Sequence, residues 1–328
     1  MKKSSLVLLI AISAGAWFAL QQYDLRGLEN LQRVRGSSSA SGEQGVPPPP
    51  EGKETIRIAS FNLQSFDREK SQHAAVMDIL ARVIREFDVI AVQEVRSTRP
   101  EVLRTLMEFI NQGETDYSIL VGPQVDRDSR GETFAYIYNQ ATIQTDRGAA
   151  YVVDDPYGLL ERPPLVGWFR VRGPPENQAF TFTLVNIHAE PSGRAGKPAR
   201  LDAMYRSVFY EVRDDGRGED DLIMLGVFNA DDRHLGKLRE IPGLLAAISA
   251  TPTDTRRKNQ SDNLVFQLPA TGEYTGCSGV FDFLREYNLT LEEALQVSDH
   301  LPVWAEFSAR EGGELPAMAG RRGITRRP

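Results

Sequence analysis

The sequence predicts an α/β fold in which two mixed sheets pack face to face and helices cover their outer surfaces. Three observations support this prediction. The first third of the globular region alternates strand, helix, strand and helix patterns. Its middle consists of short strands separated by Gly, Pro and Asp turns, which is typical of antiparallel hairpins. The third observation is the wholly apolar run at residues 222–227, which has the composition of a buried central strand.

The first third of the domain supplies two strand–helix pairs. An alternating strand is predicted at residues 56–61 and ends at Asn62. Asp67 can cap the following helix, whose apolar residues recur at helical spacing. Those residues are Val76, Ile79, Leu80, Val83, Ile84 and Phe87. A second strand at residues 89–92 leads directly to Glu94, so the pattern of a strand ending in a polar group repeats.

The rest of the domain returns to strands after one more helix. Thr98 and Glu101 form a capping box that predicts where this helix begins. The hairpin strands that follow are predicted at residues 133–138, 143–153, 166–171 and 179–187. After them come a helix-like segment at 201–212, the central strand, a strand at 263–267, a short helix at 291–296 and a final strand at 301–307.

Composition bounds the classes of protein that this chain can be. Of its 328 residues, 41% are hydrophobic and 25% charged, as in ordinary soluble proteins. A net charge of −7 argues against a protein that coats nucleic acid non-specifically, since such binding needs clustered Lys and Arg. It does not exclude a nuclease, because an acidic site can meet a phosphate through a bound cation. Cys277 is the only cysteine, so the fold has no intrachain disulfide.

The N-terminal segment predicts export across a membrane. Two lysines precede an apolar run of 15 residues at positions 6–20, which includes small residues suitable for cleavage. A cleaved signal peptide is the favoured interpretation. An uncleaved membrane anchor is the alternative, although the run is shorter than the ~20 residues of a comfortable span. Both place the domain in the periplasm or outside the cell, either free or tethered to the outer side of the cytoplasmic membrane.

The domain boundaries follow from shifts in composition. The segments are the signal peptide or anchor at residues 1–22, a Gly/Ser/Pro-rich linker at 23–55, the folded domain at 56–308 and a disordered basic tail at 309–328.

Polar, titratable groups follow several of the predicted strands of this domain. They are Asn62, Glu94, His188, Asn229 and the Asp299-His300 pair. Ligands and catalytic groups collect at strand ends in α/β sheets. Carboxylate and amide oxygens are the ligands that Mg²⁺ prefers, and Mg²⁺ takes only one or two protein carboxylates. The pattern therefore predicts a metal site formed by Glu94, Asn62 and Asp299, with Mg²⁺ favoured and Mn²⁺ or Ca²⁺ as alternatives.

The motifs around these residues resemble a known family. The central strand continues into VFNAD, which is similar to the GDFNAD motif of the endonuclease/exonuclease/phosphatase superfamily, and the deoxyribonuclease I branch is the most similar. The resemblance implies a four-layered α/β/β/α sandwich. It also implies that Glu94, in the segment QEVR, is the principal metal ligand and that Arg96 contacts DNA. Asn229 keeps its family position as a catalytic-site residue.

The resemblance also implies roles for the two histidines. Histidine titrates near neutral pH, so His188 and His300 suit general acid–base catalysis. In the family, a carboxylate orients each ring, and the matching residues are Glu132 for His188 and Asp262 for His300. Arg162, in the segment ERPPL, matches an arginine that holds a substrate phosphate. The implied reaction is attack by water on a phosphodiester, with one histidine as base and the other as acid; which is which stays open.

One position departs from the family pattern. Val227 stands where the GDFNAD motif has Asp, and valine can neither ligate a cation nor accept a hydrogen bond. Loss of one group from such an electrostatic site costs on the order of 10²–10³ in rate. The sequence therefore predicts a slow, metal-dependent DNase that acts as a monomer. The alternatives are a non-catalytic binder of DNA or another partner, and a phosphatase or phospholipase-type hydrolase.

Overall fold

The computed structural model describes residues 53–96, 100–124, 131–155, 160–190, 201–202, 205–213 and 218–313. The predicted N-terminal segment and Thr98 of the predicted capping box lie outside these ranges, as do most of the linker and of the tail. Within the described ranges, no helix has both the length and the apolar character required to cross a bilayer.

Thirteen strands are present in the described residues. In chain order they are β1 (Thr55–Phe66), β2 (Val89–Val95), β3 (Tyr117–Gln124), β4 (Thr133–Asn139), β5 (Ile143–Thr145), β6 (Tyr151–Val152), β7 (Leu165–Val171), β8 (Thr181–His188), β9 (Leu222–Val227), β10 (Leu244–Ala246), β11 (Asp262–Gln267), β12 (Tyr274–Val280) and β13 (Val303–Ser308). They form one sheet in the order β12-β13-β1-β2-β4-β3 and a second in the order β10-β11-β9-β8-β7-β5, with β6 paired to β7. Both sheets are mixed, since β1–β2 and β8–β9 are parallel and the other pairs antiparallel.

Helices flank the strands in sequence. The described α-helices are α1 (Arg68–Ser71), α2 (Ala74–Ile84), α3 (Pro100–Ile110), α4 (Glu211–Arg213), α5 (Phe283–Glu286) and α6 (Leu291–Val297). A π-helical turn at Tyr205–Tyr210 precedes α4, and 3-10 turns lie at Arg147–Ala149 and Gly236–Glu240. The predicted class, two packed mixed sheets with helices in an α+β arrangement, is confirmed.

The predicted first helix differs from the observed structure. Asp67 accepts a hydrogen bond from the Lys70 amide, as a cap does, but the helix that it caps is only α1. His73 is extended and a new helix, α2, begins after it and ends before Phe87. The Lys70 ammonium explains the break, because it donates to the carbonyl oxygens of Leu63 and Gln64 and so ties α1 to the end of β1.

The core lies between the two sheets. Phe169, Phe180, Phe182 and Phe307 are fully buried there and stack in sequence, with neighbouring ring centroids 4.8–5.8 Å apart. Such aromatic contacts add to the burial of apolar area in holding the sheets together.

Beneath the strand ends, the two sheets are also joined by a buried polar network. The Gln93 side-chain amide donates to Asn186 Oδ1 at 2.7 Å, and Asn186 Nδ2 donates to the carbonyl oxygens of Val92 and Ala135. Gln93 and Asn186 are both fully buried. These hydrogen bonds hold β2 against β8 next to Glu94 and His188.

Candidate active site

A double bulge at the end of β1 and β2 sets the position of Glu94. The pairing of β1 with β2 shifts register between Asn62 and Phe66, and the pairing of β2 with β4 shifts on either side of Glu94. Gln64, Ser65 and Glu94 all have positive φ, at 47°, 52° and 58°. Such left-handed backbone costs on the order of 1–2 kcal/mol for each residue that is not Gly. Strain of this kind, at a bulge that turns a side chain, is a recurrent feature of functional sites.

The bulge surrounds the Glu94 carboxylate with hydrogen-bond donors. Asn62 Nδ2 donates to Oε1 at 3.2 Å, and the Ser65 amide donates to Oε2 at 2.8 Å. Arg96 forms an ion pair with Oε2 at 3.2 Å. Burial raises the pKa of Glu94. The opposing effects of His188, Asn62, Arg96 and Ser65 are together larger, so the pKa lies below its ordinary value. Glu94 is therefore an ionised carboxylate at neutral pH.

Lys70 is a cation of this site that the sequence analysis missed. Its ammonium group lies close enough to Glu94 and Asp299 for both carboxylates to act on its pKa. Burial is the largest effect and lowers the pKa of Lys70 to about 8, against the opposing pull of these acids. The helical periodicity around position 70 contains no signal for this contact. Its role depends on the end of β1, which the ammonium contacts.

His188 lies at the end of β8 and is oriented by a buried acid. Its Nδ1 is 2.8 Å from Glu132 Oε1, and Glu132 is only 1% exposed. The same carboxylate accepts the Glu94 amide at 3.0 Å, and its other oxygen lies 2.7 Å from Arg162 Nε. Glu132 therefore links the histidine, the Glu94 backbone and the arginine into one unit. Hydrogen bonding at Nδ1 leaves Nε2 of His188 for proton transfer.

His300 forms the corresponding pair with Asp262. Its Nδ1 lies 3.0 and 2.9 Å from the two oxygens of Asp262, which is 2% exposed. Asp299 Oδ1 is 3.9 Å from the other ring nitrogen. Burial lowers the pKa of His300, but Asp262, Asp299 and Glu94 outweigh burial and raise it to about 9.

Val227 lies between the two histidine–carboxylate pairs. In the strand register it is the partner of His188 on one side and of Asp262 on the other. Residues that are direct partners in a sheet face the same side, so its side chain faces the same side as theirs. Gly226 before it has a φ of +139°, and a Cβ there would lie 2.0 Å from the Ile187 carbonyl oxygen. This glycine allows the close approach of β8 and β9.

Asn229 follows the same strand in a left-handed conformation, with φ at 51°. Its side-chain amide donates to the Ala189 carbonyl at 2.7 Å. An open cleft of about 910 Å³ lies beside it. Asn229, Asp299 and His300 contribute to the cleft wall, and the rest consists of residues from the loops at 230–234 and 250–261.

The residues at Glu94 fit a hard divalent cation. The Glu94 side chain is 16% exposed, ionised and held in position by donors on both oxygens. Asp299 adds a half-exposed carboxylate nearby, and Asn62 orients Glu94 through its Nδ2 while its Oδ1 accepts a hydrogen bond from the Gln64 amide. A cation such as Mg²⁺ takes one or two protein carboxylates and keeps several waters, so this donor set suffices.

The structure brings the predicted site residues together from segments far apart in the sequence. His188, His300, Asn62, Arg96 and Asp299 all interact with Glu94, either directly or through a shared neighbour. Arg162 contacts Glu132 and is 15% exposed on its side chain. Besides Lys70, the sequence analysis missed Ser65, because nothing in a serine after a strand predicts that its amide will bind a carboxylate.

Known proteins resemble this chain over most of its length. Human deoxyribonuclease-1-like 1 is 32% identical over 280 residues, which cover 82% of this chain and 89% of that protein. Deoxyribonuclease gamma of Rattus norvegicus is 29% identical over 269 residues, which cover 77% of this chain and 84% of that protein.

Solved structures show the same fold at lower identity. A mannosyl-6-phosphatase from Bacteroides thetaiotaomicron VPI-5482 has a TM-score of 0.51 at 17% identity, covering 76% of this chain and 98% of that one. The human Nocturnin catalytic domain, solved with a sulfate anion, has a TM-score of 0.51 at 15% identity, with 78% and 93% covered. The Endonuclease/Exonuclease/phosphatase family model matches residues 59–300. Since that match extends from β1 to His300 and the deoxyribonuclease resemblance covers most of the chain, this protein belongs to the Endonuclease/Exonuclease/phosphatase family.

Proposed function

We propose that this protein is a divalent-metal-dependent phosphodiesterase that cleaves DNA. The observation that carries the proposal is the position of the Glu94 carboxylate, which interacts electrostatically with both His188 and His300. Each of these histidines is in turn hydrogen-bonded through Nδ1 to a buried acid. Two oriented imidazoles beside an ionised carboxylate are the groups that hydrolysis of a phosphate ester requires.

DNA as the substrate is supported by two kinds of observation. Relatives that resemble this chain over most of its length carry the name deoxyribonuclease. Arg96 lies next to Glu94, and its guanidinium is suited to a phosphate. Arg233 and Lys258 contribute to the cleft wall, where they would contact a nucleic-acid backbone. Arg162 forms an ion pair with Glu132 through Nε, and the terminal N–H groups of its guanidinium would serve a phosphate.

The proposed mechanism assigns a task to each residue. Glu94 would hold the cation, assisted by Asn62 and Asp299, and the cation would supply charge neutralisation at the phosphate. One histidine removes a proton from the attacking water, and the other returns a proton to the leaving 3′ oxygen. The Glu132 and Asp262 carboxylates hold the rings in the tautomer that these transfers need and stabilise their protonated forms.

A second candidate, a non-catalytic DNA-binding protein, is favoured by Val227 alone. This side chain is 1% exposed and lies between His188 and Asp262. It offers no oxygen at the centre of the proposed site. A slow enzyme is the better proposal, because both histidine–carboxylate pairs and the ionised Glu94 are present.

The first experiment is a plasmid-nicking assay on the purified protein with Mg²⁺, with Mn²⁺ and with chelator. We expect nicking that requires the metal and that is lost in the His188→Ala and His300→Ala variants. Equal nicking in chelator would contradict the metal role. No nicking by the wild-type protein, together with retained DNA binding, would support the second candidate.

The Val227→Asp variant tests the departure from the family motif. We expect nicking to increase by on the order of 10²–10³, because the new carboxylate adds a charged group to a preorganised site. Val227→Thr is the matched control, since threonine has the shape of valine and a hydroxyl but no charge. An equal gain in both variants, or a gain in neither, would contradict the electrostatic explanation.

We propose that the protein is exported and acts as a monomer, free or tethered through residues 5–20. The positive charge and apolar run at the N-terminus support export. N-terminal sequencing of the protein recovered from its cells tests cleavage near residue 22, and an intact N-terminus in the membrane fraction would indicate the anchor instead.

A further inference from the structure

A second group of acids lies at the opposite end of the sheets from the active site. We call Glu219, Asp221, Glu273 and Glu311 the acid cluster. Asp221, Glu273 and Glu311 each present a carboxylate oxygen within 4.8 Å of the other two. Carboxylate oxygens of Glu219, Asp220 and Asp221 also lie within 4.8 Å of one another. The cluster contains none of the residues assigned to the proposed active site.

Strand direction separates this cluster from the active site. Asp221 directly precedes β9, whereas Val227 ends the strand. Six residues of a strand span about 20 Å. Glu273 precedes β12 and Glu311 follows β13, so these two acids belong to the other sheet. The acid cluster therefore joins both sheets at their far end.

Backbone amides hold three of the carboxylates in place. The Thr181 amide donates to Glu311 Oε1 at 2.7 Å, and the Gly312 amide donates to Glu273 Oε1 at 2.6 Å. The Asp221 amide donates to Glu219 Oε1 at 3.0 Å. One oxygen of each glutamate is thus fixed by the main chain, so the acids are positioned rather than free on a solvated surface.

Three buried oxygens at the cluster have no hydrogen-bond partner. They are Asp221 Oδ1, Glu273 Oε2 and Thr271 Oγ1. Asp221 is 3% exposed, Glu273 is 4% exposed and Thr271 is fully buried. The Thr271 hydroxyl lies beside the Asp221 carboxyl group and acts on it. Unpaired buried oxygens cost free energy and are rare in native proteins, so a missing partner is the natural explanation.

The electrostatics of the cluster indicate the charge of that partner. The carboxylates of Asp221, Glu273 and Glu311 lie within 4.8 Å of one another, where they repel each other. The charged groups with the largest effects on Asp221 are all carboxylates. A cation among these oxygens would remove the repulsion.

We propose that the acid cluster is a Ca²⁺ site that fastens the two sheets together. Ca²⁺ accepts six to eight oxygen ligands at about 2.4 Å, so ligands on opposite sides of the ion are about 4.8 Å apart. The three carboxylate oxygens and the Thr271 hydroxyl supply neutral and charged oxygens of the kind that Ca²⁺ takes. The ion is structural, because it lies at the end of the sheets remote from Glu94.

The first test measures Tm for the full chain in chelator, in CaCl₂ and in MgCl₂. It uses a Glu94→Gln background, so that metal binding at the active site does not contribute. At Ca²⁺ 100-fold above Kd, we expect Tm to rise by roughly 5–10 °C. Asp221→Asn should abolish the rise, and Glu292→Gln, which removes an exposed charge elsewhere, should retain it.

Each outcome of this test is informative. No Ca²⁺-dependent rise in the Glu94→Gln protein, or a full rise in Asp221→Asn, would overturn the proposal. An equal rise with Mg²⁺ would overturn the assignment of Ca²⁺. Should Asp221→Asn fail to fold, Glu311→Gln replaces it, because Glu311 is exposed and its substitution disturbs little packing.

Terbium luminescence locates the ion independently of stability. Trp168 faces Glu219 and can sensitise Tb³⁺ that binds at the cluster. In the protein with Trp168, we expect sensitised Tb³⁺ emission that decreases when Ca²⁺ displaces the bound Tb³⁺. In Trp168→Phe, we expect this emission to be lost and the Ca²⁺-dependent rise in Tm to be retained. Emission that persists in Trp168→Phe would place the ion elsewhere and overturn the proposal.

Discussion

The ion pair between His300 and Asp262 makes a prediction about pH dependence. The pKa of His300 is raised from 6.5 to about 9, and Asp262 is the largest cause that raises it. Asp262→Asn keeps the size of the side chain but removes its charge. Burial would then be opposed only by Asp299 and Glu94, so we expect the pKa of His300 to fall to about 6.5 or lower.

The size of the effect follows from these two values. At pH 8, a group with a pKa of 9 is about 90% protonated, and one with a pKa of 6.5 is about 3% protonated. If His300 is the proton donor to the leaving oxygen, the variant loses about 30-fold in rate at pH 8 for this reason alone. At pH 6 most of the variant is still protonated, so the loss from this cause almost disappears.

The same shift affects stability. The unfolded histidine titrates near 6.5 and the folded one near 9, so the ion pair stabilises the protein fully below pH 6.5. That contribution is lost as the pH rises through about 9. The difference of about 2.5 pKa units corresponds to about 3 kcal/mol. We expect the free energy of unfolding of Asp262→Asn to change less between pH 6.5 and 9 than that of the wild type.

Two measurements check this prediction. NMR titration of the His300 ring in chelator reports its pKa directly, and the nicking rate at pH 6 and 8 reports its role. Asp232→Asn is the matched control, since that carboxylate lies in the same cleft but bonds to Ser249 and Ala250. An unchanged titration, or a rate ratio of variant to wild type that is equal at both pH values, would refute the reasoning.

Two further predictions concern the framework of the site. Gly226→Ala should lower the free energy of unfolding, measured with denaturant, by more than about 3 kcal/mol, because its Cβ would lie 2.0 Å from the Ile187 carbonyl oxygen. Gly272→Ala is the control, since the space around that residue is open. Glu132→Gln should lower the free energy of unfolding by about 3–5 kcal/mol, since it leaves Arg162 without its charged partner. A loss below about 1 kcal/mol in the same denaturant unfolding would show that the ion pair is dispensable.

The sequence predicted the strands best where a local pattern was strong. The strand β9 was identified because a strand buried on both faces is a continuous apolar run. The strand β1 was identified because a strand buried on one face alternates apolar and polar residues. The strands β3, β10 and β12 were missed, and the segment predicted as one strand at residues 143–153 consists of β5, a 3-10 turn and β6. None of these segments has a periodic pattern long enough to distinguish a strand from a loop.

The candidate site was predicted through motifs, not through geometry. Asn62 and Glu94 were expected at strand ends, yet both lie inside β1 and β2, at a bulge that extends each strand. Left-handed backbone at a residue other than Gly has no signature in the sequence, because the surrounding structure imposes it. The positions of Lys70 and Ser65 depend on the same bulge and were missed for the same reason.

By itself, the sequence determined the alternation of strands and helices, the acidic and histidine-bearing segments and the single valine that departs from the family motif. Only the tertiary structure decided that Val227 lies between His188 and Asp262, and that the acids adjacent to β9, β12 and β13 meet at the far end of the sheets. The physical reason is distance along the chain. Periodicity and turn chemistry act over a few residues, whereas these contacts join residues that pack together only after the two sheets have formed.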